Sequence, residues 1–242
     1  MLCPKCQQLQ SAQNEVCTSC GIVFAKYNHY LTLKEESLST KNKNSYNWKA
    51  LLIPKQQHRT LSEISLKTML ILLVSIYSVM LIFSGLDISN GTDRVIHLPN
   101  LIFHEAGHVI FGLLGQLIGS LGGTLAQLII PVLGFYQFLI KQRDIFSATI
   151  MFWWFGENFI DIAPYVNDAR AGVMPLLGGN TGQSAAYGFH DWEYLLTETG
   201  LINYDNAIAW LFHLLGSAIM ITALIASIWV IIKQTERPQP NN

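Results

Sequence analysis

Residues 98–140 read LPNLIFHEAGHVIFGLLGQLIGSLGGTLAQLIIPVLGFYQFLI and hold a single charged side chain, Glu105. The block is too long for one membrane-crossing helix, which needs about 20 residues. Gly119, Gly122, Gly123, Pro131 and Gly134 break it. Glycines at such places suit a turn or a re-entrant hairpin within the bilayer. The block therefore reads as part of a membrane fold.

The rest of the chain agrees. Half of the 242 residues are hydrophobic and 13% are charged, whereas a soluble domain carries about a quarter charged residues. Upstream, Thr68 to Leu86 contains no charge and is long enough to cross the hydrocarbon core. Sixty-seven residues precede it and no small-residue cleavage site follows, so it reads as a span rather than a signal peptide. Asp87–Asn100 is expected as a loop on the far side, with a helix starting near Pro99. Downstream, Ile145–Val166 is expected as a span carrying Glu157 and Asp161, residues 167–204 as a Gly-rich polar loop, Ala207–Ile232 as the last span and Lys233–Asn242 as a polar tail. The expected class is an all-α polytopic membrane protein of four to five spans plus a re-entrant element, with a small four-cysteine ribbon at its N-terminus.

Charge placement orients it. Residues 1–67 hold nine of the fifteen Lys and Arg against four acids. These charges are scattered and lack aromatic interleaving, so they fit a cytoplasmic, membrane-proximal head and not a nucleic-acid surface. Lys141 and Arg143, with Lys233 and Arg237, count to the same side. Block 98–140 then makes one net crossing with a re-entrant part, the alternative being two full spans. The expected location is a bacterial inner membrane with the N-terminus in the cytoplasm and the lipid bilayer around residues 67–242.

All four cysteines lie in the first twenty residues, as Cys3-Pro-Lys-Cys6 and Cys17-Thr-Ser-Cys20. Two CxxC knuckles can aim four thiolates at one ion, the sulfur set of a structural zinc site. A closed four-thiolate shell leaves no position for chemistry and serves to fold a segment too short to stand alone. Residues 1–27 resemble the small zinc ribbons that head many bacterial proteins, which implies a docking module with a cytosolic protein partner. Residues 28–66 are polar and are expected as a linker, with a short interfacial helix about Trp48–Ile53.

The sharpest motif is His104-Glu105-Ala106-Gly107-His108. Two histidines four apart share one helix face and can offer a ring nitrogen each to one ion, while the adjacent Glu can reach the attacking water as general base. Composition alone predicts about 0.007 such matches in the chain. Ionisable groups inside a span are expensive and point to function. A catalytic zinc needs a third protein ligand, for which Asp161, Asp168, Glu157, His190 and His213 are the candidates. Glu157, Asp161 and Asp168 share a helix face if Pro164 does not kink it. Counting depth from Pro99 favours Asp161, with Asp168 nearer the rim. His190-Asp191-Trp192 reads as a loop with a membrane-boundary Trp, or as a cap or outer contact of the site. Arg170 is expected to pair with Asp168.

HEAGH in an apolar segment, the Gly-rich broken stretch after it, and a later span with Asn158, Pro164 and a downstream Asp resemble the site-2 protease group of intramembrane zinc metalloproteases. The resemblance covers about residues 95–170. It implies His104 and His108 as ligands, Glu105 as general base, Asp168 or Asp161 as third ligand, and a membrane protein or peptide as substrate. The group's Leu-Asp-Gly is replaced here by Asn167-Asp168-Ala169-Arg170 and Ile160-Asp161-Ile162. The other classes to weigh are a non-catalytic membrane metalloprotein and an adaptor acting through its zinc ribbon. No phosphate-cradling loop, Ser/His/Asp grouping or nucleic-acid footprint is present in the sequence.

Overall fold

The computed structural model describes residues 1–11, 13–43, 60–87 and 96–235. The interfacial helix expected about Trp48–Ile53 lies outside them, as do most of the loop after Asp87 and the end of the tail. Among the described residues the chain is all-helical, its only strand-like features being isolated bridges. It divides into two units, residues 1–50 and 51–242.

The first unit is built from two matching turns. Cys3 and Cys17 each open a tight loop, with Gln7 N–H donating to the Cys3 carbonyl at 2.8 Å and Gly21 N–H to the Cys17 carbonyl at 2.9 Å. The residue closing each loop is left-handed, Gln7 at φ 58° and Gly21 at φ 72°. Antiparallel bridges Leu2–Leu9 and Val16–Val23 brace the two turns. Helix α1 (Phe24–Lys43) follows. The polar linker expected from residue 28 is thus helical at its start. No Gly or Pro interrupts residues 22–53, and Ala, Lys, Leu and Glu are good helix formers whatever their polarity.

The second unit is a helical bundle. Helix α2 (Leu61–Phe83) begins at an N-cap, Thr60 accepting from Glu63 N–H. Helices α3 (His97–Phe111) and α4 (Gln116–Tyr136) form a hairpin through a 3-10 turn and Gly115, whose φ of 101° suits glycine. A π-helical extension to Gln142 and left-handed Arg143 lead to Asp144, which caps α5 (Ile145–Asn167). The expected polar loop 167–204 contains a short helix, α6 (Asp191–Glu198), before α7 (Asp205–Thr235).

Among the described residues three helices are long and apolar enough to cross a membrane: Leu61–Phe83, Gln116–Gln142 and Ile202–Thr235. Their outward faces are aliphatic, among them Leu72, Leu73, Ile76, Val132, Leu214 and Ile225. At the centre is α5, buried through most of its length and packed most extensively against α7. That contact is close because Gly156 faces Gly216, where a Cβ on either would meet the other's carbonyl oxygen at 2.9 or 2.5 Å. Glycines let helix backbones approach in the same way at Gly107 and Gly122, between α3 and α4.

One end of the bundle gathers four basic residues, while Arg170 lies at the other. Lys67 Nζ donates to Gln234 at 3.2 Å and lies over the Phe146 ring, while Ile71, Ile145, Phe146 and Val230 pack beneath. Lys141, Arg143 and Lys233 belong to the same end of their helices. Helix α6 packs at the opposite end, with Trp192, Leu195 and Leu196 against Ile162, Val166 and Ala209.

Helix α3 starts earlier and deeper than expected. It begins at His97, not Pro99, and Ile96 already packs on the cluster of Leu81, Trp153 and Ile160 in the middle of the bundle. His97 and Asn100 are buried because α5 supplies partners for them. Its 15 residues give about 22 Å of helix, short of the ~30 Å hydrocarbon core.

Candidate metal centre

Three elements converge on one point. His104 and His108 stand one turn apart on α3, their rings 4.8 Å between centroids. Asp191, first residue of α6, sets Oδ2 3.0 Å from His104 Nε2 and 3.1 Å from His108 Nε2. From α4 comes Gly123, where a Cβ would lie 2.5 Å from His104 Nε2 and 2.7 Å from His108 Nε2. Only a residue without a side chain leaves room for the two nitrogens and anything between them.

The far nitrogens are held. His108 Nδ1–H donates to the Gly119 carbonyl at 2.9 Å. Gln127 donates its amide nitrogen to Asp161 Oδ2 at 2.9 Å, which turns its oxygen toward His104 Nδ1 at 3.2 Å. Both rings therefore spend an N–H on Nδ1. A neutral imidazole has only one N–H, so each Nε2 then offers a lone pair to a carboxylate oxygen. Lone pairs against a carboxylate repel unless positive charge sits among them, as imidazolium protons or as a cation. The group of His104, His108 and Asp191 could hold a metal ion. Burial alone would raise the Asp191 carboxyl, but where the positive charge is imidazolium protons, their hydrogen bonds from His104 and His108 reverse this and hold it below the ordinary carboxylate value.

The predicted third ligands stand elsewhere. Asp161 accepts from His97 Nδ1 at 3.0 Å, Asn100 Nδ2 at 3.0 Å and Gln127 Nε2 at 2.9 Å. Asn100 also donates to Glu157 at 2.9 Å and accepts from Trp154 Nε1 at 2.8 Å. Asp168 accepts the backbone N–H of Val173 at 3.0 Å and Met174 at 2.8 Å, and its Oδ2 lies 3.5 Å from His190 Nε2. His213 donates to the Ile82 carbonyl at 3.1 Å, as a core histidine does. Arg170, expected beside Asp168, instead makes a two-pronged pair with Asp205, both contacts at 2.7 Å.

So the structure brings His104 and His108 together with Asp191, and sets Asp161 one amide behind His104. Depth counted from Pro99 as the rim favours Asp161, but the helix starts at His97. Asn100 lies opposite Glu157 and Asp161, and the histidines stand one and two turns further along α3. No spacing rule connects position 191 to position 104. The available signal was an acid opening a short amphipathic helix beside a boundary Trp, after a Gly-rich stretch. Gly123, Gln127, Asn100 and His97 also carried no motif.

A cavity of about 410 Å³ opens on the site. Glu105 lines it together with His104, His108 and Asp191, and Leu101, Ile162, Leu176 and Phe189 give it apolar walls. Known protein families, curated proteins and solved structures contain no match to the chain.

The first unit holds a second cluster. Cys3 Sγ lies 3.6 Å from Cys20 Sγ and Cys6 Sγ 3.7 Å from Cys17 Sγ, far beyond the ~2.05 Å of a disulfide. All four are free thiols close enough to hold one metal ion. The backbone N–H of Cys20 at 3.4 Å draws the Cys17 thiol down to about 6, against the opposing pull of desolvation.

Proposed function

We propose that the chain is a membrane-embedded zinc metallopeptidase of site-2 protease-like character, with a structural zinc in its N-terminal ribbon. The observation that carries this reading is the meeting of two Nε2 lone pairs and one carboxylate oxygen beside a glycine, with Glu105 on the wall of the same cavity. Two His and one carboxylate form a donor set that catalytic zinc takes, leaving a coordination position for water or substrate. In the ribbon, sulfurs on a tetrahedron about 2.3 Å from zinc stand ~3.8 Å apart, and the observed 3.6 and 3.7 Å fit.

When bound, zinc polarises a carbonyl and acidifies the attacking water. The chain's own residues do the remainder. Glu105 takes the proton of that water and passes it to the amide nitrogen as the C–N bond breaks, leaving a carboxylate and an amine. Gln127 and the Gly119 carbonyl keep the two imidazoles in the tautomer that binds metal. The apolar cavity walls exclude bulk water and accept an apolar segment unwound from its helix.

The bundle end bearing Lys67, Lys141, Arg143 and Lys233 is cytoplasmic under the positive-inside rule. In this reading α2, α4, α5 and α7 cross fully, α3 is the re-entrant element, and the cavity opens toward the opposite, outer side of a bacterial inner membrane. The substrate is a membrane-embedded or membrane-proximal protein, and the ribbon docks a cytosolic partner.

Metal analysis of the full chain in detergent tests the site: two zincs per chain are expected, one lost in His104→Ala/His108→Ala and the other in Cys3→Ser/Cys6→Ser. Labelling of new N-termini in membranes containing wild type or Glu105→Gln tests the activity. Termini absent from Glu105→Gln, which keeps its metal, support a protease. Two metals with identical termini in both would leave a non-catalytic metalloprotein, and a single zinc lost only in the cysteine variant would leave an adaptor.

A further inference from the structure

The buried pair Asp168 and His190 takes no part in the proposed proton transfers, yet both are almost wholly enclosed, at 0% and 1% exposure. Buried acids and imidazoles are costly unless their partners give something back. His190 Nδ1 accepts the backbone N–H of Glu193 at 3.2 Å, which makes His190 the N-cap of α6. An accepting Nδ1 puts the ring proton on Nε2, and that nitrogen faces Asp168 Oδ2 at 3.5 Å. Asp168 is itself fixed by two backbone N–H groups, from Val173 and Met174. The next residue after the cap is Asp191, whose Oδ2 meets both histidines of the HEAGH helix.

We infer that Asp168 and His190 are positioning residues for Asp191, closing the long loop between α5 and α6 so that this carboxylate is delivered to His104 and His108 in one fixed place. The inference rests on the metal reading of that site. The physics is a chain of short constraints. Asp168 sits at the C-terminal end of the central helix, His190 Nε2 lies against its carboxylate at 3.5 Å without a hydrogen bond, and the cap fixes where α6 starts. Gly182 lies close to the same imidazole, where a Cβ would stand 3.3 Å from His190 Cδ2. Without the pair, Asp191 would hang from a loop some twenty residues long and bind metal only after an entropic cost of ordering.

The test loads the full chain with cobalt(II). Thiolate-to-cobalt charge transfer reports the ribbon, and the weaker visible bands of a nitrogen and oxygen site report the membrane domain. Asp168→Asn and His190→Ala are expected to weaken cobalt binding at the membrane site about 10- to 100-fold. They should also lower the visible intensity per bound ion, as Asp191 gives way to water, with the ribbon signal unchanged. His190→Asn, which restores a good N-cap but not the Asp168 contact, is expected between wild type and His190→Ala. A merely structural pair would lower the unfolding temperature but leave affinity and intensity per ion at wild-type values in Asp168→Asn, and that result overturns the inference. A wild-type chain showing only the ribbon signal would instead overturn the metal reading itself.

Discussion

At the scale of single residues, the site depends on what is missing at position 123. A methyl group there would occupy the space in front of both Nε2 atoms. Gly123→Ala is therefore expected to bind metal at the membrane site at least about tenfold more weakly, while circular dichroism and ribbon metal stay unchanged. Asp191 and Asp161 separate in the same assay. Asp191→Ala removes a donor that touches both histidines and is expected to empty the membrane site at zinc levels that fill the wild type. Asp161→Asn disturbs its bonds to His97, Asn100 and Gln127, of which only the Gln127 link leads to His104, and is expected to weaken binding about tenfold. Equal losses in the two variants would mean that Asp161 reaches the ion.

At the scale of elements, helix contacts made by glycine pairs decide the packing. A Cβ on Gly216 would meet the Gly156 carbonyl oxygen at 2.5 Å and Ile160 at 2.9 Å. Gly216→Val is expected to destabilise the bundle by about 1–3 kcal/mol through overpacking, read as a lower unfolding temperature in detergent with the ribbon unaffected. The elements themselves were largely legible: uncharged runs placed α5 and α7 to within three residues and α2 to within seven at its start, and paired CxxC and HEAGH spacing marked all but one residue of the two groups that could hold a metal ion. What the sequence did not disclose depends on register between helices. His97 and Asn100 look like loop residues until α5 is known to place Asp161 and Glu157 opposite them. Asp191 looks like a surface acid until the loop from Asp168 to His190 is closed.

At the scale of the molecule, the basic end and the α6 end give the bundle a direction. Cysteines introduced at Lys141 and at Glu198 of a variant with serine ribbon positions are expected to react with impermeant thiol reagents from opposite faces of inverted and right-side-out vesicles. Reaction from one face only would remove the four-crossing arrangement. The mid-bundle start of α3 also bears on how the chain is made. Asn100 leaves the ribosome 61 residues ahead of Asp161, the group that later satisfies it, and α3 is too short to be accepted by the insertion machinery as a span in its own right. Under the proposed membrane arrangement the HEAGH helix is expected to wait, shielded by the translocon or at the lipid surface, until α5 is delivered. A chain arrested after residue 140 would carry the whole motif and still have nowhere to seat it.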